Sequence, residues 1–438
     1  MKFREFINYL DTKNKLIHIK KPVSLEFEMA NIMATFNERP IIFENIKESS
    51  FPVVGGLCSS RNLIAKALEV SEKNLVKKLC NAINNLKKPE IVETAPCQEI
   101  VETSPDLYKL PIMRYMPKDG GRYIPSGISV VRDPELNVQN VSFHRLMLLD
   151  KNHFVARIVE NRGTDTALKK AGGELEIAIC IGNSTAVMLA AATSLSHGVD
   201  EFYLANAIEP TPLVKCKTVN LYVPADSEFV LEGKITKEMH DEGPFLDLTT
   251  TYDKIRKQPI IEITCITHRK DAIWQTLLPG LNEHRNLMGM PREPTIFNEV
   301  SKVCKCVNVQ LTSGGGNWLH AIIQIHKEKE EDGKQAIQAA FKGHSSLKHC
   351  VVIDDDIDID NPASVEWAIA TRFQGDKDMI IMPNQPGSSL DPSADLTEGK
   401  KAITCKVGID ATIPFDKKDK SFKPESYKKV NMKEYLQG

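Results

Sequence analysis

The feature that most constrains the fold of this 438-residue chain is its long central region, residues 107–298, which carries many short stretches rich in Val, Ile and Thr. Such stretches, bounded by turn residues, predict β-strands, and examples are 128–131, 142–149, 175–181, 218–223, 229–231 and 260–266. Few helices are predicted between them. A region built from many short strands favours a barrel or a split barrel.

The regions on both sides of this one alternate between helix and strand. Residues 1–106 and 299–438 combine apolar residues at helical spacing with short apolar runs, which predicts two α/β domains. In the second of them, Pro362 is expected to open a helix that continues through Arg372. The Lys-rich tail from Pro414 is expected to be a loosely packed arm. Because so long a chain exceeds one ordinary core, we predict a multidomain protein of the α+β and α/β classes, with domain boundaries at 106/107 and 298/299.

Charge and cysteine content exclude several classes of function. The net charge of -2 provides no basic field for nucleic acid. No apolar run approaches the roughly 18 residues of a membrane span, and the amino terminus lacks the apolar segment of a signal peptide. The ten cysteines form no Cys-x-x-Cys pair, so we expect a reduced, cytoplasmic protein without a zinc site.

One short run, Glu242–Asp247, combines two carboxylates with a Gly-Pro turn. Proline restricts φ and glycine tolerates unusual backbone angles, so both acids are expected on a bend rather than on a helix face. Carboxylates that lie close together or against an apolar side chain have different pKa values, which allows one to act as an acid. A solvated turn that happens to carry two acids is the alternative interpretation.

Two further polar stretches are candidates for binding. In 140–145, strand alternation would put Asn140, Ser142 and His144 on one face and Arg145 on the other, unless a bulge intervenes. An amide oxygen can bind a hard cation, and a buried arginine can clamp a carboxylate. In 157–163, two arginines around a glycine turn could hold a phosphate. Ordinary polar residues of a barrel explain the first stretch equally, and for the second a hairpin with solvated charges is the commoner explanation.

Several separate stretches together resemble the UbiD family of decarboxylases, which use prenylated FMN. The stretches that carry the resemblance are 140–145, 157–163, 197–201, 223–233, 242–247, 266–269, 353–358 and 408–412. The resemblance implies an N-terminal α/β domain, a central split β-barrel domain that binds the flavin, and a C-terminal α/β domain used in oligomerisation. It also implies a homodimer or a higher homo-oligomer, and a flavin prenyltransferase as the partner that supplies the cofactor.

The resemblance assigns roles to individual residues. Asn140 and Glu201 correspond to ligands of a divalent metal ion, Mn²⁺ or another divalent cation, and K⁺ is a further ion of such sites. The residues on flavin-binding segments are Phe143, His144, Arg145, Arg157, Ile158, Val159, Arg162 and Gly163. Arg145, Glu242 and Asp247 correspond to the catalytic set, with Asp247 as the proton donor after CO₂ leaves. From the sequence alone, Glu201 could equally be an acid favoured by the dipole at the start of a helix.

Two positions depart from the family pattern. One branch has a histidine metal ligand where this chain has Arg162 and Gly163, which leaves no third protein ligand there. Leu246 stands where a glycine usually precedes the second carboxylate. Among the branches, the chain most resembles the archaeal type that converts anhydromevalonate phosphate to isopentenyl phosphate.

A phosphorylated α,β-unsaturated acid needs cations beyond those that serve the flavin. The candidates are Lys118, Arg122, His284 and Arg285, which we expect in loops that flank the barrel. Two other hypotheses remain. One is the same chemistry on an aromatic or polyprenyl hydroxybenzoate, and the other is a flavin-binding or maturation protein without catalytic activity.

Overall fold

The computed structural model describes residues 1–395 and 402–417, together with the single residues 422, 430 and 435. Two compact units are present. Unit 1 contains residues 1–295, 311–319 and 390–392, and unit 2 contains residues 296–310, 320–389 and 393–438. The division into three domains with the boundaries given above stays a prediction. Most of the tail from Pro414 lies outside the described residues.

The helices and strands alternate along much of the chain. The α-helices are α1 Phe3–Thr12, α2 Glu28–Thr35, α3 Arg61–Ala67, α4 Leu75–Asn84, α5 Gly163–Lys170, α6 Thr185–Ala192, α7 Glu201–Ile208, α8 Asn282–Gly289, α9 Glu293–Val300, α10 Asp332–Gly343 and α11 Pro362–Arg372. The strands are β1 Ile17–Ile19, β2 Ile41–Phe43, β3 Val53–Gly55, β4 Ile91–Val92, β5 Ile100–Glu102, β6 Tyr123–Ile124, β7 Ile128–Arg132, β8 Gln139–Phe143, β9 Leu146–Leu148, β10 His153–Ala156, β11 Leu175–Ile181, β12 Leu213–Lys215, β13 Tyr222–Pro224, β14 Phe229–Glu242, β15 Phe245–Leu246, β16 Tyr252–Asp253, β17 Arg256–His268, β18 Trp274–Gln275, β19 Lys305–Leu311, β20 His320–His326, β21 His349–Asp354, β22 Met379–Pro386 and β23 Ile403–Asp410.

A nine-stranded sheet dominates unit 1. Its order is β6-β9-β10-β17-β14-β11-β7-β8, with β5 paired to β17, and its neighbouring strands run antiparallel. The long pair β14–β17 has register shifts, one of them between Ile235 and Met239. Alternate apolar side chains of its strands, such as Ile179, Leu231 and Ile261, are fully buried. The prediction of a mixed α/β protein with a strand-rich central region is therefore confirmed.

Three predicted strands differ from the observed ones. The strand expected over 142–149 is interrupted, because β8 ends at Phe143 and β9 begins at Leu146. The strand expected over 218–223 is shorter, since β13 starts only at Tyr222, and the one expected over 229–231 extends to Glu242. The exposed part of β14 is rich in polar residues, so a prediction based on apolar runs did not recognise the full length of this strand.

Unit 2 contains a five-stranded sheet in the order β19-β20-β21-β23-β22. The pairs β20–β21 and β21–β23 are parallel, as expected where helices connect strands, and β22 is an antiparallel edge strand. Helix α11 begins as predicted at Pro362, with the Asn361 side chain accepting a hydrogen bond from Ala363 N. The buried Arg372 at its end pairs with Asp354 and Asp356, so the acidic loop after β21 is an ion-pair partner.

No helix among the described residues is both long and apolar enough to cross a membrane.

Candidate active site

The turn after β14 arranges the acidic residues of the site. Gly243 has a φ of +100°, and strand β14 ends directly before it at Glu242. A cis peptide bond joins Gly243 to Pro244. Strands β15 and β16 then form a small hairpin, in which Phe245 pairs with Asp253. The two acids of the run therefore lie on a bend, as predicted, and the hairpin brings Asp253 to the same place.

Arg145 lies at the centre of this arrangement, in the break between β8 and β9. Its Nε and Nη2 donate hydrogen bonds of 2.8 Å each to the two oxygens of Glu242, which is fully buried. Nη2 also donates to Asp253 Oδ2 at 2.9 Å, and Nη1 lies 3.4 Å from Asp247 Oδ2. The Phe245 ring centroid is 5.2 Å from the guanidinium carbon. One guanidinium thus contacts three carboxylates, and the contact with Asp247 is the longest.

Arg256 completes the group that we call the Arg145 cluster: Arg145, Glu242, Asp247, Asp253 and Arg256. Its Nη2 donates to Asp253 Oδ1 at 2.9 Å. Burial raises the pKa of Asp253, but the hydrogen bond from Arg256 and the charge of Arg145 together bring that pKa below its ordinary value. Burial lowers the pKa of Arg145, but the hydrogen bond with Glu242 and the negative charges of the other two acids raise it above its ordinary value. Two cations face three acids, so one acid lacks a matching positive charge.

Asp247 is the acid with the greatest freedom in the Arg145 cluster. Its side chain is 22% exposed, as is that of Asp253, whereas that of Glu242 has no exposure, and only Asp247 contacts the guanidinium at the outer limit of a hydrogen bond. The half-buried His284 lies close enough for the charge of Asp247 to act on its pKa, which burial lowers below the ordinary value. His284 Nδ1 accepts a hydrogen bond of 2.9 Å from Gly280 N, so the neutral ring carries its proton on Nε2.

The analysis of the sequence found three members of the Arg145 cluster and missed two. Asp253 and Arg256 are three residues apart around the start of β17, a spacing that by itself is typical of a solvated ion pair. Only the hairpin puts Asp253 against Arg145. Tyr123 was also missed, and its hydroxyl donates to Glu242 Oε1 at 3.2 Å.

A cavity of about 410 Å³ lies in unit 1 next to β8, and we call it the Asn140 cavity. Seven of the predicted cofactor-binding and metal-binding residues line it: Asn140, Phe143, His144, Val159, Arg162, Gly163 and Glu201. The loop between α6 and α7, which includes Ser194 and His197, forms another wall. The structure therefore brings these residues together around a space that a ligand can enter.

Asn140 and Glu201 contact each other at the wall of this cavity. Asn140 Nδ2 donates to Glu201 Oε1 at 3.2 Å, and Val141 N donates to Glu201 Oε2 at 2.7 Å. Burial raises the pKa of Glu201 to about 8. A buried carboxylate of this kind is stabilised in its charged form by a cation, and carboxylate and amide oxygens are hard donors. A Cβ at Gly163 would collide with the Asn140 side chain, so glycine is needed there.

These two residues fit a divalent cation that takes its other ligands from water or phosphate. In the described part of the chain, no group of three or more His, Cys, Asp and Glu side chains is placed to hold a metal ion. Mn²⁺ and K⁺ therefore stay predictions.

The remaining predicted flavin-binding residues have partners of their own. His144 Nε2 lies 2.9 Å from Thr164 Oγ1, and burial lowers the pKa of His144 to about 4, so its ring is neutral. Arg157 Nη1 donates to Ile158 O at 2.7 Å and to Glu160 Oε1 at 3.2 Å. Ile158 N donates to Gln258 Oε1 at 2.7 Å. The cofactor-binding roles of these residues, and of those that line the Asn140 cavity, stay predictions.

Two of the four residues predicted to bind a substrate phosphate are placed differently from what was expected, whereas Lys118 and Arg122 lie in loops as predicted. His284 and Arg285 lie on helix α8, so their prediction as loop residues was wrong, because the short helix after Gly280 has too few apolar residues to be recognised. Arg285 Nε donates to Leu248 O at 3.1 Å. Arg122 Nε pairs with Glu26 at 2.9 Å. Lys118 lies in the loop before β6.

Comparison with family models and with known proteins identifies the family. Three models match consecutive parts of the chain: the 3-octaprenyl-4-hydroxybenzoate carboxy-lyase N-terminal domain at 7–83, the Rift-related domain at 90–282 and the C-terminal domain at 285–411. The chain belongs to the UbiD family. The resemblance inferred from the sequence is therefore confirmed.

Individual members of the family cover nearly the whole chain. The anhydromevalonate phosphate decarboxylase of Methanosarcina mazei is 43% identical over 416 residues, which are 94% of this chain and 96% of that protein. The structure of the UbiD-class enzyme HmfF from Pelotomaculum thermopropionicum in complex with FMN has a TM-score of 0.94 at 36% identity and covers 100% of both chains. An evolved dimeric form of HmfF in complex with prFMN has a TM-score of 0.90 at 35% identity and covers 99% of this chain and 100% of that one.

Proposed function

We propose that this protein is a prenylated-FMN-dependent carboxy-lyase that converts trans-anhydromevalonate 5-phosphate to isopentenyl phosphate and CO₂, a step of isoprenoid precursor synthesis. The observation that carries the proposal is the Arg145 cluster, in which one guanidinium contacts three carboxylates and one of these acids lacks a matching positive charge. This cluster lies in a chain that belongs to the UbiD family. Near-full-length similarity to the Methanosarcina mazei enzyme supports the choice of substrate.

The Asn140 cavity is the proposed place for the cofactor. Arg162 and the backbone at Gly163 would contact its phosphate, and Asn140 and Glu201 would bind a divalent cation beside that phosphate. When bound, the prenylated flavin supplies the electron sink for loss of CO₂. The FMN and prFMN complexes of HmfF support this assignment.

Arg145 is proposed to bind the substrate carboxylate. Nε and Nη2 are held by Glu242, and the long Asp247 contact leaves Nη1 with capacity for a new acceptor. A carboxylate that replaces Asp247 at Nη1 gains a charge-assisted hydrogen bond and is kept in position. Glu242 stays paired and therefore acts by orienting Arg145 and compensating its charge.

Asp247 is proposed as the proton donor to carbon after CO₂ leaves. Once the substrate carboxylate takes its place on Arg145, Asp247 loses cationic stabilisation, and uptake of a proton becomes easier. Partial exposure lets Asp247 exchange that proton with solvent, while the neutral His284 beside it adds no competing positive charge. A general acid that regains its proton from solvent in this way can act in repeated turnovers.

The proposal includes the wider assignments that the family resemblance implies. The nine-stranded sheet would be the split-barrel flavin domain, and the sheet of unit 2 would take part in a homodimer or higher oligomer. A flavin prenyltransferase would supply the cofactor, and the scattered cysteines without a Cys-x-x-Cys pair support a cytoplasmic location.

The test is an assay of the protein co-expressed with a flavin prenyltransferase. We expect stoichiometric prenylated FMN by mass spectrometry, and CO₂ release with isopentenyl phosphate from trans-anhydromevalonate 5-phosphate. Robust turnover of hydroxybenzoates with none of the phosphorylated acid would instead support the aromatic alternative. Full flavin loading without turnover of either substrate class would support a carrier or maturation role.

A further inference from the structure

Asp253 lies between two guanidinium groups of unit 1. Arg256 Nη1 donates to Asp253 Oδ2 at 2.5 Å and Arg256 Nη2 donates to Oδ1 at 2.9 Å, so this contact is bidentate. Arg145 Nη2 donates to the same Oδ2 at 2.9 Å. The pairing of β17 with β14 puts Arg256 opposite Glu242, and the small hairpin brings Asp253 to the same place. Three hydrogen bonds from cations stabilise Asp253 in its charged form.

Asp247 shares Arg145 with Asp253 but lacks the second guanidinium. Both aspartate side chains are 22% exposed, so exposure does not distinguish them. Asp247 Oδ1 accepts a hydrogen bond of 2.6 Å from Leu248 N, and Oδ2 has the 3.4 Å contact with Arg145 Nη1. The contacts of Arg256 therefore decide which of the two acids is held as an anion and which one can take up a proton.

Arg256 also contributes to the charge balance of the Arg145 cluster. The two cations of the cluster face three acids, so one acid is in excess. Loss of the charge of Asp253 would leave two cations against two acids, with none in excess. Loss of the charge of Arg256 would leave one cation against three acids, with two in excess. An acid in excess takes up a proton more readily, because nearby negative charges disfavour its ionised form.

Other charged and titratable groups near the cluster form a constant background. They are Tyr123 on β6, Glu160 after β10, Tyr252 on β16, Lys254 after β16, and His284 and Arg285 on α8. Glu160 is 60% exposed and pairs with Arg157 at 3.2 Å, and the charge of Arg256 acts on it from further away. Arg285 Nε donates to Leu248 O at 3.1 Å. These groups are present whether or not Asp253 or Arg256 is replaced, so differences between variants report the cluster itself.

We propose that Asp253 and Arg256 are positioning residues, which hold Arg145 Nη2 and keep one acid in excess, so that Asp247 takes up and donates the proton. This inference rests on the proposed function, because it requires Asp247 to be the proton donor. Without the negative charge of Asp253, Asp247 becomes the acid that matches Arg145, so it holds a proton less readily and the substrate carboxylate displaces it less easily. Without Arg256, Asp253 competes with Asp247 for the proton and releases Nη2 when it is protonated.

The experiment measures kcat as a function of pH for the flavin-loaded protein and for variants of this pair. Activity falls on the alkaline side when the proton donor loses its proton. Asp253→Asn should move this alkaline limb to lower pH, because no acid is then in excess. Arg256→Gln should move it to higher pH, because two acids are then in excess. Each shift should be about one pH unit, the order of magnitude for charges a few ångströms apart near a protein surface.

The double variant Asp253→Asn, Arg256→Gln gives the sharpest test. It has one cation and two acids, so one acid is in excess, as in the wild type. Its alkaline limb should return to within about 0.3 pH units of the wild-type position, although its kcat stays about 10-fold low because Arg145 Nη2 has lost a charged acceptor. Arg256→Lys keeps the cation and should leave the limb in place. Lys257→Gln, which removes a neighbouring cation whose pair with Asp241 is exposed, is the matched control and should resemble the wild type.

Bound flavin and thermal stability are measured for every variant, and the outcomes separate the possible errors. Single variants with lower stability but an unchanged pH profile would show a purely structural ion pair and overturn the inference while the proposed function stands. Shifts in the same direction in both single variants, or shifts that persist in the double variant, would also overturn it. Loss of flavin from Arg256→Gln would assign Arg256 to the cofactor and overturn it too. A wild type that is loaded with flavin but does not turn over trans-anhydromevalonate 5-phosphate would refute the proposed function, and the inference with it.

Discussion

Two buried arginines of unit 1 have opposite electrostatic surroundings. Arg145 contacts three carboxylates, and the acids of its cluster outnumber the cations. Arg292 has Ser194 and an aromatic ring as neighbours and no acid paired with it among the described residues. The surplus of acid around Arg145 is suited to holding and releasing a proton. Around Arg292, burial and the positive charge of Arg162 instead lower the pKa of the guanidinium to about 10.

This difference shows how the neighbours of an arginine limit what it can do. An arginine with excess acid keeps one carboxylate weakly bound, and that carboxylate can exchange a proton. An arginine without a paired acid has no carboxylate to hold in this way. The following four predictions test the first site and the cavity near the second, from the largest expected effect to the smallest.

The largest effect is expected for Asp247→Asn. Asparagine keeps the size and hydrogen-bonding capacity of the side chain but cannot donate an acidic proton, so kcat should fall by roughly 10²- to 10⁴-fold. Flavin binding and folding should be unchanged, and Asp241→Asn, at an exposed acid on β14, is the matched control. Steady-state decarboxylation and deuterium incorporation into the alkene are the measurements. Near wild-type turnover at equal flavin loading would assign the proton donor elsewhere.

A smaller loss is expected for Glu242→Gln. The neutral amide cannot accept two charge-assisted hydrogen bonds from Arg145, so the guanidinium should turn toward Asp247 and Asp253. Both kcat and KM should worsen, with a drop in kcat/KM of about 10- to 100-fold. Glu238→Gln on the exposed part of β14 serves as the control. If only kcat changes, Glu242 does not help to position the substrate through Arg145.

For the Asn140 cavity, Glu201→Ala should weaken the binding of metal and flavin together. Loss of a metal ligand or of its close support typically costs about 10- to 100-fold in affinity. Metal analysis and flavin absorbance of the purified variant measure this, with circular dichroism to show that the fold is kept. Glu174→Ala, at an exposed position, is the control. Full flavin and manganese stoichiometry in Glu201→Ala would contradict the assignment of Glu201 as a ligand.

The smallest effect concerns Glu283, which precedes His284 on α8. This helix continues into the turn that ends at Arg292. Burial and the charge of Glu38 raise the pKa of Glu283 to about 8, against the hydrogen bonds that it accepts from Gly56 N and Cys58 N. An acid with a raised pKa stabilises the fold below its unfolded-state pKa, and this contribution is lost as pH rises toward 8.

Urea unfolding at pH 5 and pH 8.5 therefore should show less stability at the higher pH, and Glu283→Gln should reduce that difference. Glu238→Gln should leave the difference unchanged. An equal pH dependence in Glu283→Gln and the wild type would show that other groups cause it.

Local features of the fold could be predicted from the sequence because their causes are local. Pro362 starts α11, since proline suits the first turn of a helix. Strand β11 was predicted with its observed bounds, because its seven residues carry a continuous β-forming pattern. The bend after Glu242 follows from Gly243 and Pro244. By contrast, α8 escaped prediction, because its polar sequence stays helical only through tertiary contacts such as those of Glu283.

The candidate site was predictable only in part for the same reason. Family resemblance pointed to Arg145, Glu242 and Asp247, whose roles no pattern of local spacing could assign. Neither that resemblance nor composition led to Asp253 or Arg292.

The sequence by itself determined the family, the strand-rich centre and the turn that carries the two acids, because these depend on motifs and on backbone preferences of neighbouring residues. Tertiary structure decided which groups meet. Arg145 reaches Glu242 across 97 residues and Asp253 across 108, and Arg292 reaches Ser194 across 98. Contacts over such separations depend on how strands pair and helices pack, and they decide which arginine is surrounded by acids and which one is not.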